Sequence, residues 1–512
     1  MSTVSTDFPL VNLSESPIDL IINATNNLSS FGVNAVLDLS FSAAMTNGQE
    51  FTLAFNNTTI TFTAATTPDN SGNQLPLQGS STLVQWGSLV RDALESNPIL
   101  GASYSISTYT VGSNVVIRIT AITAGTAANI TVTESISTLS TNVATTGVEP
   151  VYRENFKIVL QVYTEQGDLS GAYSLNKTIE KKVDANSNAH FDLSSIVDAY
   201  VSQDIPTLGA TAISRVLKSI KKFHYYHGEK YGAIPVTYGL TKSSDRYAIS
   251  GGLNKSLFAQ KEFLSDMLIT DKIFLNTSAK TKTVTKEQEE NLYFMPTYAT
   301  TSVTVRCKIY YDDSTEETVS LFAYTPGYSL QYQILAIPIR YNSIISDLSN
   351  SNKEVIAYDV WISDAATTTV LSEVRSFDLI DENIYSKYLI YQNSYGQFET
   401  LHFDGKHRKG LSIRKIIAQK QLDYNYSVND GDSFINDVSS KDTLTISTGI
   451  KTNAELSAIK DLILSKSVFI IENDALIPMI IDTKSLITYN NENKDLASAT
   501  LKISSANSHS HA

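Results

Sequence analysis

The sequence predicts a mainly β protein with α+β parts, in which several β-sandwich-like domains follow one another and the N-terminal domain is of ββαββ type. First, the composition favours strands, because 27 tyrosines accompany frequent threonine, valine and isoleucine. Second, short runs of alternating apolar and polar residues recur between turn residues. Third, a chain of 512 residues is too long for a single core, so several domains are expected.

Charge and cysteine content exclude several classes of protein. The net charge of −13 argues against general nucleic-acid binding, which needs a basic field to displace counterions. No apolar run reaches about 18 residues, so no membrane span is predicted, and the first residues lack the basic start of a secretory signal. Cys307 is the one cysteine, which excludes an intrachain disulfide and predicts a small buried residue.

The first part of the chain is predicted to contain an arm and a domain. Residues 1–32 are interpreted as an extended N-terminal arm that lacks a core and orders against a partner. Residues 33–148 are interpreted as an α+β domain, with strands joined by a tight turn at Gly112. Within it, residues 81–96 repeat apolar positions at intervals of three and four, which predicts an amphipathic helix ending before Pro98.

This first domain also carries a resemblance. Its pattern consists of FNNTTITFTA, LVQWGSLVRDALESNP and YTVGSNVVIRITAITAGTAANITV, with Thr120-Ala121, Ala124-Gly125 and Asn129 near the end. In order and spacing these stretches resemble a small domain that recurs in tail and baseplate proteins of tailed bacteriophages. The resemblance implies a phage-tail-type domain over residues 33–148.

Residues 149–297 are predicted to form a β-sandwich-like domain with a long insertion, because RENFKIVLQVY and residues 175–183 alternate as strands. The basic and aromatic stretch SRVLKSIKKFHYYHGEKY is interpreted as the end of an amphipathic helix with inward rings and solvated lysines. The alternative is a nucleic-acid site in which rings stack on bases and lysines contact phosphates. Its residues are His224, Tyr225, Tyr226, His227, Lys218, Lys221 and Lys222.

The second half is predicted to contain two further domains. Residues 298–384 are interpreted as a fibronectin-like β-sandwich, whose first hairpin, VTVRCKIYYDDSTEETVSLFAY, turns at residues 312–314. Residues 385–512 are interpreted as an α+β domain centred on the aromatic hairpin YLIYQNSYGQFETLHF, which turns at Gly396. The helix NAELSAIKDLIL follows, then the strands VFIIEN, LIPMIID, SLITYN and ASATLKIS and a disordered tail, SANSHSHA.

A second resemblance rests on the hairpin pattern NS-x-G-x-x-[ET], present as Asn393, Ser394, Gly396, Glu399 and Thr400. With the helix and strands after it, this pattern resembles virion structural proteins encoded by phages and phage-derived elements of Bacteroidota bacteria. The resemblance spans about residues 149–505. It implies a tail, tail-connector or baseplate protein, made in the host cytoplasm and located in the tail or head–tail region of the virion.

The stretch after the hairpin is the predicted interface between subunits. A basic patch on a protein of charge −13 suits contact with an acidic surface of a neighbouring copy. The candidate interface residues are Lys406, His407, Arg408 and Lys409, together with Tyr395 and Phe398 of the hairpin.

Other polar clusters are interpreted as non-functional. His402, Asp404 and His407 have the spacing of a metal site, but the basic residues around them repel a cation, so no metal is expected. The consecutive acids in a lysine- and threonine-rich loop are interpreted as surface charge; they are Glu287, Glu289 and Glu290. No motif of a nucleotide-binding loop, nucleophile elbow or zinc protease is present.

The sequence therefore predicts a non-enzymatic structural protein that forms rings with copies of itself, contacts neighbouring tail or connector proteins, and needs no cofactor. The alternative is a receptor- or glycan-binding protein at the tail tip. In that case Trp86 and Trp361 would stack on sugars, although both lie in periodic segments typical of a core. A cell-wall hydrolase would need two carboxylates about 5–10 Å apart in a cleft, and the sequence offers no such pair.

Overall fold

The computed structural model describes residues 2–24, 27–68, 73–345, 353–364, 369–483 and 496–511. In this part of the chain strands predominate over helices, and they form nine separate sheets. The predicted mainly β fold with several sheets in series is confirmed. No helix among the described residues is long and apolar enough to cross a membrane.

The strands before the first helix are β1 (Thr3–Thr6), β2 (Val11–Leu13), β3 (Asp19–Asn23), β4 (Leu28–Ser30), β5 (Asn34–Phe41), β6 (Glu50–Phe55), β7 (Thr58–Ala65) and β8 (Gln74–Pro76). The α-helices are α1 (Leu83–Ser96), α2 (Leu100–Ser103), α3 (Ser194–Asp198), α4 (Lys255–Gln260), α5 (Tyr341–Ile345) and α6 (Asn453–Leu464). A 3-10 turn spans Thr126–Ala128, and a π-helical segment spans Phe263–Thr270.

The strands of the middle of the chain are β9 (Tyr104–Val111), β10 (Asn114–Ala124), β11 (Thr131–Glu134), β12 (Leu139–Thr145), β13 (Val151–Tyr152), β14 (Lys157–Glu165), β15 (Tyr173–Lys181), β16 (Asn188–Asp192), β17 (Ser214–Val216), β18 (Ile220–Tyr231), β19 (Val236–Lys242) and β20 (Arg246–Ile249). Those of the second half, up to the basic stretch, are β21 (Thr281–Thr285), β22 (Asn291–Phe294), β23 (Val303–Tyr311), β24 (Glu316–Tyr324), β25 (Ile334–Pro338), β26 (Val355–Asp364), β27 (Arg375–Ile380), β28 (Lys387–Gln392) and β29 (Phe398–Phe403). The remaining strands are β30 (Arg408–Gln419), β31 (Ser433–Ser447), β32 (Lys451–Thr452), β33 (Val468–Glu472), β34 (Ala475–Ile481), β35 (Leu496–Ala497), β36 (Thr500–Ser505) and β37 (His509–His511).

The segment predicted to be an arm is part of the chain's own core. β3 lies between β1 and β16 in an antiparallel sheet, and β2 pairs in parallel with β20. Val11, Ile18, Leu20 and Ile22 are fully buried. The expectation of an arm without a core is corrected here. The local alternation indicates a strand, but it does not disclose that the partner strands lie far along the same chain.

The domain at residues 33–148 is inserted into a unit whose sheets combine strands from before residue 33 with strands from after residue 148. β4 and β13 pair antiparallel where the chain enters and leaves the domain. Beside them, Val33 and Val148 exchange two backbone hydrogen bonds of 3.0 Å each. The segment that enters the domain and the segment that leaves it therefore form a two-stranded stalk.

Two four-stranded sheets and α1 share one core inside the inserted domain. The sheets have the orders β12-β5-β10-β9 and β11-β6-β7-β8. α1 begins with a capping box, in which Thr82 and Gln85 each accept the backbone N–H of the other. Trp86 is fully buried, with its ring centroid 5.1 Å from that of Phe41 and its Nε1 donating to the Pro76 carbonyl at 2.7 Å. This tryptophan is a core residue and offers no face to a sugar.

The stretch interpreted as a helix end is the centre of a sheet. β18 pairs with β14 on one side and with β19 and β20 on the other, in a sheet ordered β15-β14-β18-β20-β2. Phe223 and Tyr225 are buried two residues apart, which is the period of a strand. The helical interpretation is wrong, because this stretch pairs as a strand with neighbours on both sides. Consecutive residues such as His224 and Tyr225 are both buried, because both faces of the strand are covered.

A sandwich-like unit follows, and its strands come from both sides of residue 297. One sheet has the order β21-β27-β26-β23-β24, with β21 and β27 parallel, and the other has the order β17-β25-β22. Both sheets contribute to one core, which includes Cys307, Phe274 and Leu335. Cys307 is fully buried, and this burial raises the pKa of its thiol.

An eight-stranded sheet carries the C-terminal part, in the order β29-β28-β33-β34-β36-β31-β30 with β37 beside β31. α6 packs against it through Leu456, Ile459 and Leu462. The predicted helix NAELSAIKDLIL coincides with α6, whereas the predicted strand SLITYN lies outside the described residues. The predicted disorder of the tail SANSHSHA is corrected as far as His511, because residues 509–511 form β37, which pairs with residues 438–440 of β31.

Candidate assembly surface

The hairpin β28–β29 forms as predicted, and a side chain fixes its turn. Asn393 Oδ1 accepts the N–H groups of Tyr395 and Gln397 at 3.0 Å each. The Gly396 N–H donates to the Asn393 carbonyl at 2.9 Å, and Gly396 has a φ of 76°, which glycine adopts without steric strain. The asparagine and the glycine together set the shape of the tip.

The tip of the hairpin is enclosed by other parts of the chain. A methyl group on Gly396 would overlap the carbonyl of Ser250. Ser394 donates to Asp461 Oδ2 from its N–H at 3.2 Å and from its Oγ at 3.1 Å. Segments that are distant in sequence, near residue 250 and in α6, therefore meet at the tip.

Tyr395 and Phe398 lie in this junction. Tyr395 is 8% exposed, and its ring centroid is 5.9 Å from that of Phe263. Phe398 is 2% exposed, and its ring centroid is 6.1 Å from that of Phe469. The expectation that these two rings face a neighbouring subunit is corrected, because the chain's own residues already cover them.

A buried cluster of charges lies next to the tip. Glu399 Oε1 accepts a hydrogen bond of 2.6 Å from Asn393 Nδ2, which links the second strand of the hairpin to its turn. Lys282 Nζ donates to Glu290 Oε2 at 2.7 Å and to the Thr400 carbonyl at 2.6 Å. The cluster thus connects β21 and the start of β22 to β29.

The two buried glutamates of this cluster differ in pKa. For Glu399, burial favours the neutral acid, but the charge of Lys282 and the hydrogen bonds from Ser278 and Asn393 outweigh it and hold the pKa below its usual value. For Glu290, burial is the larger effect and raises the pKa despite the contact with Lys282. A single ammonium therefore serves two carboxyl groups, of which Glu399 is the stronger acid.

Two of the three glutamates interpreted as surface charge have internal partners. Glu290 is 2% exposed and pairs with Lys282, and Glu289 Oε1 accepts a hydrogen bond of 2.8 Å from Arg340. Only Glu287 of the three is exposed. The interpretation is wrong for Glu289 and Glu290. Pairing of β22 with β25 places Glu289 beside Arg340, and the approach of β21 to the start of β22 places Glu290 beside Lys282.

His402, Asp404 and His407 each face other protein groups. His402 Nε2 lies 2.9 Å from Ser386 Oγ, and burial lowers the pKa of this histidine to about 4. Asp404 pairs with Lys451 Nζ at 3.5 Å, while His407 packs beside an aromatic ring. Among the described residues no group of three side chains is placed to hold a metal ion.

The basic and aromatic residues of β18 are also engaged within the fold. His224 is 3% exposed, with its ring centroid 5.4 Å from Tyr163 and 4.3 Å from Tyr173. Lys222 Nζ lies 3.0 Å from Asp245. The face of this histidine that base stacking would require is covered by tyrosines, so the structure adds no support to the nucleic-acid alternative.

The basic stretch of the predicted interface lies on the surface. Lys406, Arg408 and Lys409 are exposed, and His407 is half-buried. The side chain of Lys409 is 68% exposed and its Nζ lies 3.6 Å from Glu472. These residues stand at the beginning of β30, where a long element leaves the sheet.

This element is a two-stranded ribbon that consists of β30, the loop 420–432 and β31. Its strands pair from Arg408 opposite Thr445 to Gln419 opposite Ser433. The next full strand of the sheet, β36, pairs only with residues 443–447 of β31. Beyond the residues opposite this pairing, β30 continues from 411 to 419, which at a rise of about 3.3 Å per residue extends the ribbon by about 30 Å to its tip loop.

The ribbon exposes apolar side chains along both strands and at its tip. In the strands they are Leu411, Ile413, Ile416, Ile417, Phe434 and Ile435. In the tip loop, Tyr424 is 99% exposed and Tyr426 is 63% exposed. Apolar surface concentrated in this way is typical of a contact with another protein. β30 is also an edge strand, so its outer backbone groups are free to pair with another chain.

Comparisons with known proteins give little further guidance. No family model matches the chain, and no curated protein matches it. The crystal structure of FliD (HAP2) from Pseudomonas aeruginosa PAO1 is similar over 53% of this chain and 93% of its own, with 11% identity and a TM-score of 0.19. The complex of Dpr2 Ig1-Ig2 with DIP-Theta Ig1-Ig3 is similar over 74% of this chain and 99% of the matched chain, with 8% identity and a TM-score of 0.14. Scores this low establish neither a shared fold nor a shared function.

Proposed function

We propose that this chain is a non-enzymatic structural protein of a phage virion, a ring-forming component of the tail, connector or baseplate. The observation that carries the proposal is the ribbon, which presents apolar side chains and an open strand edge to solvent. Such a surface is a liability in an isolated protein and is useful where another chain covers it. The phage assignment itself rests on the resemblances in the sequence.

Assembly through this surface follows from simple geometry. A strand edge binds a second chain through main-chain hydrogen bonds, and apolar side chains add affinity. Contacts between two different surfaces of identical subunits close into rings when the rotation between subunits permits it. Repeated contacts around a ring then stabilise the particle even where each is weak. Neighbouring tail or connector proteins would bind the remaining surfaces.

The second candidate function is glycan or receptor binding at the tail tip. Trp86 does not support it, because the ring is buried, and Trp361 is half-buried in β26. Its support is instead the pair of exposed rings in the tip loop, Tyr424 and Tyr426, since exposed aromatic faces stack on sugars. Binding of a glycan array by the wild-type chain, lost in a Tyr424→Ser and Tyr426→Ser variant, would favour this candidate.

The basic stretch at the base of the ribbon gives a direct test of assembly. In a Lys406→Ser, Arg408→Ser and Lys409→Ser variant, we expect weaker self-association at moderate salt, because the patch no longer attracts the acidic surface of a neighbouring copy. Sedimentation velocity at several salt concentrations measures the change. The difference from wild type should shrink as salt is raised.

The matched control removes the same charge elsewhere, by Lys177→Ser, Lys182→Ser and Lys255→Ser. These three lysines are exposed and lie outside the C-terminal sheet. The control should associate like wild type. Equal association of all three proteins would show that the basic stretch is not an interface.

A further inference from the structure

The ribbon carries opposite charges along its length. β30 contains four basic residues and no acid; they are Arg408, Lys409, Arg414 and Lys415. The tip loop, residues 420–432, contains one basic residue, Lys420, and three acids, so its net charge is −2; the acids are Asp423, Asp430 and Asp432. All eight of these charged side chains are exposed. The element is therefore basic along its open edge strand and acidic at its end.

The same two regions also match in their apolar residues. The tip exposes Tyr424, Tyr426 and Val428, while β30 exposes Leu411 and Ile413 near its middle. A ribbon's own tip does not reach its own β30, because β30 is paired with β31 along its whole length and the loop stands at the far end. The complementary surfaces are thus kept apart within one chain.

We propose that the tip of the ribbon in one copy binds along the β30 edge of a second copy of this chain. The acids of the tip then face the basic residues of β30, and the tip tyrosines cover the exposed leucine and isoleucines. Because the two surfaces differ, the contact can repeat head-to-tail from copy to copy, and it closes into a ring when the rotation between subunits permits it. This inference rests on the proposed function and names the contact that closes the assembly.

A second copy fits the ribbon better than other occupants do. The acidic tip loop and the basic strand β30 both belong to this one sequence, so two identical subunits offer each other surfaces of opposite charge. A nucleic acid is attracted by β30 but repelled by the acidic tip and by the net charge of −13. Symmetric pairing of β30 with β30 of another copy brings two basic strands together, which electrostatic repulsion opposes.

Charge reversal on the two surfaces tests the proposal. The tip variant carries Asp423→Lys and Asp432→Lys, and the strand variant carries Arg414→Glu and Lys415→Glu. Asp430 is left unchanged because its carboxylate accepts the Ser427 N–H at 2.8 Å and so shapes the loop. Each variant alone is expected to self-associate on the order of 10-fold more weakly than wild type, or worse, since like charges now meet.

Mixing the two variants is the decisive arm of the experiment. The reversed tip of one matches the reversed strand of the other, so an equimolar mixture is expected to recover assembly, as is one chain carrying all four substitutions. A control with Asp19→Lys and Asp381→Lys changes two exposed acids outside the ribbon and should assemble like wild type. Circular dichroism of each variant verifies that the fold is retained.

The outcomes separate this inference from the proposed function. If wild type assembles and both single-surface variants assemble equally well, the ribbon contact is refuted while a structural role survives. The same conclusion holds if the folded variants fail to recover assembly on mixing. A wild-type chain that stays monomeric at all concentrations overturns both proposals.

Discussion

Single residues at the hairpin tip hold distant parts of the chain together. Asn393 binds the turn and Glu399, Ser394 binds Asp461, and Gly396 lies against the backbone of Ser250. These are residues of the sequence pattern that resembles virion proteins. In this structure the residues of the pattern form a packed junction between distant segments.

Replacement of Gly396 by alanine should be among the most damaging single changes. The added methyl group meets the Ser250 carbonyl, and the φ of 76° is unfavourable for alanine. We expect a loss of more than about 3 kcal/mol in the free energy of unfolding. The midpoint of the first urea-induced transition measures it.

Gly327→Ala is the matched control, because Gly327 has a similar φ of 82° but nothing within 4 Å of the added methyl group. It should cost only about 1 kcal/mol, from backbone strain alone. Equal effects of the two substitutions would mean that the hairpin tip is not enclosed as described.

His402 should make stability depend on pH. Burial lowers its pKa to about 4, whereas the unfolded chain has a histidine pKa of about 6.5. The contribution of neutral His402 to the free energy of unfolding is fully present above about pH 6.5. It is lost as the pH falls towards 4, because in this range the unfolded state binds a proton at the histidine and the folded state does not. The loss amounts to as much as about 3 kcal/mol. In His402→Gln, the fall in urea midpoint between about pH 7.5 and about pH 5 should be smaller than in wild type.

The corresponding control is His190→Gln, since the side chain of His190 is 61% exposed. This variant should keep the wild-type dependence on pH. An unchanged pH profile in His402→Gln would show that another group is responsible.

At the scale of elements, the sequence discloses what local residues determine. The ends of α6 follow from its apolar spacing and its capping box, and the turn of β28–β29 follows from Asn393 and Gly396. Pairing between distant segments is not local. The sequence therefore predicts an arm where β3 lies and a helix end where β18 lies, because the pairing of β3 with β16 and of β18 with β20 joins segments that are distant along the chain or not visible from periodicity.

The candidate assembly surface, like the strand pairing, can be predicted from local sequence only in part. The signal that the sequence offers is a pair of stretches rich in isoleucine, LSIRKIIAQ and SFINDV, on either side of an asparagine- and aspartate-rich loop. The basic stretch can be predicted, because charge is visible in the sequence. The burial of Tyr395 and Phe398 cannot be predicted in this way, because it depends on segments that are distant in sequence and meet the hairpin only in the folded chain.

The inserted domain should be separable from the rest of the protein. The buried core of this domain is formed by residues between Ala35 and Leu139, and the chain enters and leaves through the paired strands β4 and β13. Replacing residues 33–148 by a short glycine-serine linker should turn that pair into a hairpin and leave the remainder folded. Circular dichroism and thermal unfolding of the shortened protein measure this.

The excised fragment 33–148 provides the complementary experiment and should unfold cooperatively by itself. Aggregation of the shortened protein together with an unfolded fragment would show that the core of the domain extends beyond the stalk.

At the scale of the whole molecule, three features suit a subunit of a larger assembly. A domain is carried on a stalk, a buried junction joins the segments of the second half, and a ribbon exposes a charged and apolar surface. The first two require only this chain. The ribbon, by contrast, exposes apolar residues to solvent, which suits the proposed contact with another chain.

The mass of the purified 512-residue chain is the most direct test of ring assembly. Sedimentation velocity over a wide range of concentrations, followed by negative-stain imaging, determines both mass and shape. We expect closed rings with one fixed number of copies. A protein that remains monomeric at every concentration, with its ribbon uncovered, would contradict it.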